Sequence, residues 1–526
     1  MKIFGFIIFL IFQSCVAGNA HLSVVGEGNA SVQDQDQDQR QEQELLCEEG
    51  APSSIPACPI GKSIQHLNHA DGFDSSGKDF FTSVVVDNDG NIFAAGGTKG
   101  SLFESNAGLT DIILVKYDKN CNFIFGKQIG TASVPVAGGA AGSEFVYPNG
   151  LRLGSDGSIF ISGSTNSSLG ETNAGSYDGF WAKFSKDGDL EFVKQFGLET
   201  GTAISESFAE YEDVEAFETD DSAVYVHVKD NHSLLDLRGQ SLSIYKYDYN
   251  GNLIWKRLYN MMTEHVIHDS LTGNKDIRNM KIGPNGNLFV FGHTSTNDFL
   301  EVKSGDLLFT NQYDLFHGEI DTNTGDIVRM QQFGSVRTPL ELNTDGSESV
   351  GEMVIDHSNG SYFLIVNSTG DYKESNSGGQ DIAVSKFDKD GNYLWSKHYG
   401  ASSGGTVYHD KAESGVIVGG ELIIGANTYG NFGDTNLGVG VTRDILILRL
   451  DKETGEENAK IQLGSTLKSS WGVLDTSKED ELSEITADKC GNIYIVGSTD
   501  SDFMHLNPEA DGDAIMMKLK PDFSAP

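Results

Sequence analysis

DIAVSKFDKDGNYLWSKHYG, Asp381 to Gly400, reads as a strand, a tight turn and a second strand. Asp390-Gly391-Asn392 supplies residues that tolerate the positive φ of a hairpin turn. Apolar and β-branched or aromatic residues flank it on both sides. Variants of this stretch recur along most of the chain. Its first strand returns from Asp111, Asp178, Ser241, Asp314, Asp444 and Asp513.

Working outward, a marker strand precedes each copy. It is Asn91-Ile92-Phe93-Ala94-Ala95-Gly96 and Ser158-Ile159-Phe160-Ile161-Ser162-Gly163. It returns around Tyr225, Phe289, Phe363, Ile423 and Tyr494. The seven copies are spaced by roughly 67 residues, a period filled with strands, which points to propeller blades rather than a solenoid. Each copy offers four strands, here named a to d. Strand a precedes the Gly-rich turn, b is the marker, and c and d are the hairpin quoted above. The expected fold is all-β, a single seven-bladed β-propeller of four-stranded antiparallel blades. The seventh copy ends after Asp513 to Leu519 with no strand d. Ile60-Gly61-Lys62-Ser63-Ile64 matches Phe125-Gly126-Lys127-Gln128-Ile129. Placed outside the last blade, that N-terminal strand closes the ring and covers an open edge.

The copies resemble the SBBP family of seven-bladed propeller repeats. The shared pattern is Gly-Ser-Thr after strand b (Gly163 to Thr165, Gly497 to Thr499), Asp-apolar-apolar-x-x-Lys in strand c (Asp381 to Lys386), then Asp-x-x-Gly-Asn and an aromatic strand d with Trp395. The resemblance spans about residues 59–520. It implies the fold and carries no shared catalytic residues. Blade three departs most, with Ser241 for the Asp and Val226-His227-Val228 near the Gly-Ser-Thr place. Blade four has Glu319 where other copies have Lys or Arg.

Residues 1–17 read as a secretory signal, with Lys2, an apolar run from Ile3 to Phe12 and small residues before Gly18. Residues 18–57, including QDQDQDQRQEQE at Gln33 to Glu44, read as an acidic disordered segment, and the propeller occupies 58–526. The net charge of −39 opposes binding to nucleic acid and anionic membranes. No further apolar segment predicts membrane insertion. Localisation is expected to be secreted or at the cell surface. Four cysteines follow the leader, an even number in an exported chain. Cys121 and Cys490 fall on turns of neighbouring blades that share a face, so the expected pairs are Cys47–Cys58 and Cys121–Cys490.

Repeated features are read as serving the blade. The strand-c Asp is expected to accept N–H bonds from the b–c loop, and the basic residue at Lys116, Lys183, Lys246, Lys386, Arg449 and Lys518 to balance neighbouring charge. Asp87, Asp89, Asp388 and Asp390 sit in turns that look like weak calcium loops but lack the terminal Glu of an EF-hand. A hairpin turn is the favoured reading, with calcium the one cofactor considered. Gly400-Ala401-Ser402-Ser403-Gly404 matches GxSxG without the helix a nucleophile elbow needs. His265 and His268 lack a third ligand. His227, His293 and His317 read as local packing or hydrogen-bonding residues. Asn29, Asn166, Asn231, Asn359 and Asn367 begin glycosylation sequons. No catalytic residue is assigned. Strand a is expected to line the channel, and its residues offer no evident set of acid, base and basic groups.

The function expected is a non-enzymatic extracellular interaction protein, binding protein or glycan through the long b–c loops. Those loops run through Gly100 to Gly108, Thr165 to Tyr177, Thr294 to Tyr313 and Thr428 to Thr442. The alternatives are a glycan lyase or hydrolase with a channel site, and a calcium-dependent adhesion module.

Overall fold

A computed structural model describes residues 62–63, 78–132, 146–173, 177–197, 212–230, 241–259, 275–294, 314–333, 348–369, 379–401, 408–432, 443–464, 479–499 and 512–520. All belong to the unit Ser53–Pro526. The expected leader and acidic segment, Cys47, Cys58, Asn29, Asn231, His265 and His268 lie outside the described residues.

These residues form seven antiparallel sheets of four strands. In blade one, strands a to d are Asp79–Val86, Ile92–Thr98, Asp111–Tyr117 and Phe123–Ile129. Strand a of the following blades is Val146–Leu153, Glu212–Thr219, Lys275–Ile282, Glu348–Ile355, Asp410–Val418 and Asp480–Ala487. Each packs beside the next, and the last packs beside the first, so the ring is closed. In blade seven, strand c (Asp513–Leu519) takes its outer partner from the N-terminal side, Lys62 opposite Met516 and Ser63 opposite Ile515. This is the closure expected of Ile60 to Ile64, with two paired residues described.

Middle strands such as Ile92–Thr98 and Asp381–Phe387 are buried along their whole length. Both faces are covered because each blade packs between two others. Seven apolar layers result, one at each blade junction. Between blades five and six, Phe363 and Val384 meet Leu422, Ile424 and Leu446. Each such side chain contributes about 1.5–3 kcal/mol by leaving water.

The repeated polar residues secure this frame. Asp87 Oδ1 accepts the N–H groups of Asp89 and Asn91 at 2.9 and 2.8 Å, and Oδ2 holds the Asn91 amide at 2.7 Å. Asp388 does the same for Asp390 and Asn392. Gly90 and Gly391, at φ +84°, complete the two turns. Cys121 occupies that glycine place in the c–d turn of blade one at φ +63°, the one non-glycine with positive φ among the described residues.

Strand-c Asp111 accepts the Ala107 N–H at 3.0 Å, fixing the b–c loop as expected. It also accepts Gln128 Nε2 at 2.9 Å, and Gln128 holds Gly100 O and the Leu102 N–H of the same loop. Gln195 with Asp178 and Gln462 with Asp444 repeat this brace. The basic position ties blades together. Lys246 reaches Thr322 O of the next blade at 3.0 Å from above the Tyr225 ring. Lys386 reaches Lys452 O at 2.8 Å from above Phe363.

Candidate binding channel

Strand a would alternate strictly if it were regular, one side chain to each neighbouring blade. Every strand a instead carries a β-bulge near its middle. The residues left over in the pairing with strand b are Thr82, Asn149, Glu215, Arg278, Glu413 and Ser483, and in blade five Gly351 with Glu352. A bulge re-aims side chains. All eight of these residues line one cavity of about 190 Å³ between the seven inner strands. Glycines on strand b make room for the bulge in three blades. A Cβ on Gly96, Gly292 or Gly497 would lie 1.9, 2.1 or 1.8 Å from the backbone oxygen of Phe80, Asp276 or Glu481.

The structure therefore corrects the expectation that strand a offers no set of charged groups. Glu215, Glu352, Glu413, Glu484, Arg152 and Arg278 face one chamber. The cations are already engaged. Arg278 holds Glu215 at 2.6 Å and Asp276 at 2.7 Å, and Arg152 holds Glu218 at 3.2 Å. Lys281 meets Glu352 at 3.3 Å, and Lys411 meets Glu413 at 2.8 Å. Glu484 takes the Val84 N–H at 2.9 Å. Burial pushes the carboxyls of Glu215, Glu413 and Glu484 above their ordinary range, and neighbouring Asp276, Glu481 and Glu352 respectively add to it against the pull of the cations. Toward the a–b turns a second cavity, of about 590 Å³, has apolar walls that include Val354, Val416 and Ile417.

The irregularity of blade three has a purpose at this channel. His227 is fully buried, with Nδ1 3.0 Å from Ser243 O and Nε2 3.2 Å from Asp276 Oδ1. Lys229 lies 3.3 Å from Asp276 and 3.5 Å from Glu215. Burial alone would raise the Asp276 carboxyl, but His227, Arg278 and Lys229 outweigh it and hold it down at about 2. His293, beside the same cluster, is brought down to about 4 by burial. His227 and His293 thus belong to one ion cluster that orients Arg278 and Glu215, which is more than the local packing or hydrogen-bonding residue expected of each. His317 is one: buried, brought down to about 3, its Nδ1 2.9 Å from the Tyr362 hydroxyl.

The other sequence candidates are dispersed. Asp87, Asp89, Asp388 and Asp390 stay in their separate turns, and among the described residues no three His, Cys, Asp or Glu residues gather as a metal site. Asn359 is exposed and Asn166 half-buried. Asn367 is a correction: it is fully buried, donating to Ala412 O at 3.0 Å and accepting the Ala412 N–H at 2.8 Å. An amide held on both sides inside a blade junction is no glycan acceptor.

At the loop end of strand a, Asp79 is buried. Desolvation lifts its carboxyl to about 7; the Thr98 hydroxyl lowers it and Asp513 raises it further. A carboxyl raised in the fold costs nothing below its unfolded value of 3.8. Stability falls as pH rises between there and about 7, where the unfolded chain gives up its proton and the folded chain keeps it. Asp79→Asn should therefore leave Tm unchanged near pH 4 and raise stability at pH 8 by roughly 2–4 kcal/mol. Melting curves at the two pH values check this, and a variant less stable at pH 8 would contradict it.

A family model described as a beta-propeller repeat, SBBP, matches residues 461–503, so the chain carries a repeat of that kind. No curated protein matches the chain. Among solved structures, a polysaccharide lyase of the PL25 ulvan lyase family is 9% identical, covering 85% of this chain and 96% of that one, with a TM-score of 0.46. The Dos1 propeller is 8% identical over 86% and 95%, with a TM-score of 0.42. The NanB sialidase of Streptococcus pneumoniae is 9% identical over 87% and 70%, with a TM-score of 0.38. Each is a similarity of overall fold.

Proposed function

We propose that this chain is an exported, non-enzymatic binding propeller that receives an extracellular protein or glycan at its b–c loop end and seats part of it in the cavity lined by the bulge residues, here called the upper chamber. The observation that carries the reading is the bulge. Elsewhere the blades repeat one another, since those positions hold each blade together. At the bulge the residue presented to the shared cavity varies, from Thr82, Asn149 and Ser483 to Arg278 and the glutamates Glu215, Glu352 and Glu413. A position free of the frame's demands is where recognition has room to vary.

Binding is favoured over catalysis because the chamber's cations are committed to carboxylates, leaving none to neutralise a substrate's acid. The His227–Asp276 pair favours the second reading, a glycan-active enzyme, but both side chains are wholly buried, out of a substrate's reach. The export reading rests on residues 1–17 and on cysteine pairing. On this reading Cys121 and Cys490 are half-cystines rather than free thiols. Cys121 packs with Tyr494 and Met516 of blade seven, which supports a Cys121–Cys490 link across the ring closure. A thiol also gives a reason for a residue other than glycine at φ +63°.

The test is capture from native extracellular material, with and without calcium, beside turnover of a polysaccharide panel. A partner retained in chelator, with no turnover, is the expected result. Turnover without a partner would replace this reading with the enzyme. Capture that needs calcium would replace it with the adhesion module.

A further inference from the structure

We propose that the upper chamber takes a lysine or arginine side chain of a partner protein, seated against Glu413 and Glu484. The inference rests on the binding reading above and names what the site accepts.

The chamber has an excess of hydrogen-bond acceptors. Glu215, Glu352, Glu413 and Glu484 accept only, when ionised. The guanidinium groups that share the space, Arg152 and Arg278, are spent on Glu218, Glu215 and Asp276. Two further groups point to a ligand independently of the acids. Ser162 Oγ lies on the chamber wall, 1% exposed, with no hydrogen-bond partner among the described residues. The wall is open there because residue 150 is glycine; a Cβ would stand 2.8 Å from that oxygen. Asn279 Oδ1, also on the wall, has no partner among the described residues either and can only accept. Buried polar groups in this state await a donor.

Charge decides which donor. A neutral hydroxyl would satisfy the oxygens but add no charge beside Glu484, whose hydrogen-bond partner is the Val84 N–H rather than a cation, and an anion would be repelled. Burial holds Glu413 and Glu484 above the ordinary carboxyl range despite Lys411 and Arg152, so an added cation is favoured at both. The net charge of −39 extends the same preference into solution and steers basic partners to the mouth. About 190 Å³ is less than the roughly 300–1,000 Å³ of pockets that enclose whole ligands, so the chamber suits one projecting side chain.

The test is calorimetry on the full chain at low salt with a lysine/arginine-bearing peptide, its glutamine-substituted counterpart, a glucosamine oligomer and the N-acetylated oligomer. The basic peptide should bind and its neutral counterpart should not. Glu413→Gln and Glu484→Gln should each weaken binding about tenfold, while exposed Asp390→Asn leaves it unchanged. Melting points separate recognition from support: both Gln variants should melt at or above the parent temperature, because an amide relieves a buried charge. Loss of binding together with a lower melting point would overturn the assignment. Equal binding of the charged and neutral peptides would overturn the cationic preference and leave the binding reading standing. Binding confined to the glucosamine oligomer would overturn the protein source. If no probe binds and neither Gln variant alters capture of the native partner, the chamber is not the site, although the loop face still binds.

Discussion

Gly130→Ala should destabilise the chain by about 3 kcal/mol and release the b–c loop of blade one. Gly130 leaves strand d against the carboxylate of Asp111, and a Cβ there would lie 1.8 Å from Oδ1. Asp111 is buried and has no room to retreat. Moving it breaks the bonds from Ala107 N–H and Gln128 Nε2, and Gln128 is what holds Gly100 and Leu102. Urea unfolding should show an earlier midpoint, and hydrogen exchange should quicken at Leu102 and Ala107. The same contact recurs at Gly197, Gly400 and Gly464, at 2.5, 2.2 and 2.2 Å from Asp178, Asp381 and Asp444. Blade three supplies the control, because its sequence has Ser241 and Asn260 at the two places. Asp111→Ser with Gly130→Asn should therefore recover the part of the loss that comes from the clash, while the carboxylate's bonds to Ala107 and Gln128 stay broken. If the double variant is no better than the sum of its parts, the Asp–Gly contact is not the cause.

The same reasoning explains what could be read beforehand. A propeller writes its frame blade after blade, so Asp111, Lys386 and the Asp87 turn each stand out as members of a column, while the Gln128 brace is seen only in the structure. The ring closure followed from counting strands, and Lys62 and Ser63 pair as that count required. The channel is written once per blade, in residues that vary from blade to blade. Glu215 and Glu413 stand among strand residues that otherwise alternate, and one extra residue per strand looks like noise in a period of two. Only aligning all seven strands a on their first residue and reading down the fourth position would have exposed Thr82, Asn149, Glu215, Arg278 and Glu413 as one set. His227 showed a trace of this: the blade that broke the pattern most was the one whose deviation faces the channel. Asn367 went wrong for the opposite reason. A sequon is read locally, while its burial is set by Ala412 of the next blade.

Blade four tests how interchangeable the parts of this frame are. Its strand-c position carries Glu319 where its neighbours carry Lys, and the missing cation is returned by Arg329 from strand d. Arg329 Nε donates to Glu319 at 2.6 Å, and Nη1 donates to the Tyr362 hydroxyl at 3.1 Å. The guanidinium lies between the Phe289 and Tyr362 rings, 5.6 and 5.5 Å from their centroids. Arg329→Ala should cost about 3–5 kcal/mol, because it strands a buried carboxylate and empties the space between two rings. The Asn285 and Asn287 amides, 3.0 and 3.1 Å from Glu319, should keep the loss toward the lower end. Adding Glu319→Lys to that variant should restore most of the stability. The new ammonium would lie over Phe289 as Lys246 lies over Tyr225 and Lys386 over Phe363, with Lys389 O placed to accept as Thr322 O and Lys452 O do. Glu319→Lys alone should be worse than either, since it sets two cations together in a site built for one. Denaturant midpoints of the three variants decide it. Recovery in the double variant would show that the repeat fixes the charge at the junction and leaves open which strand supplies it.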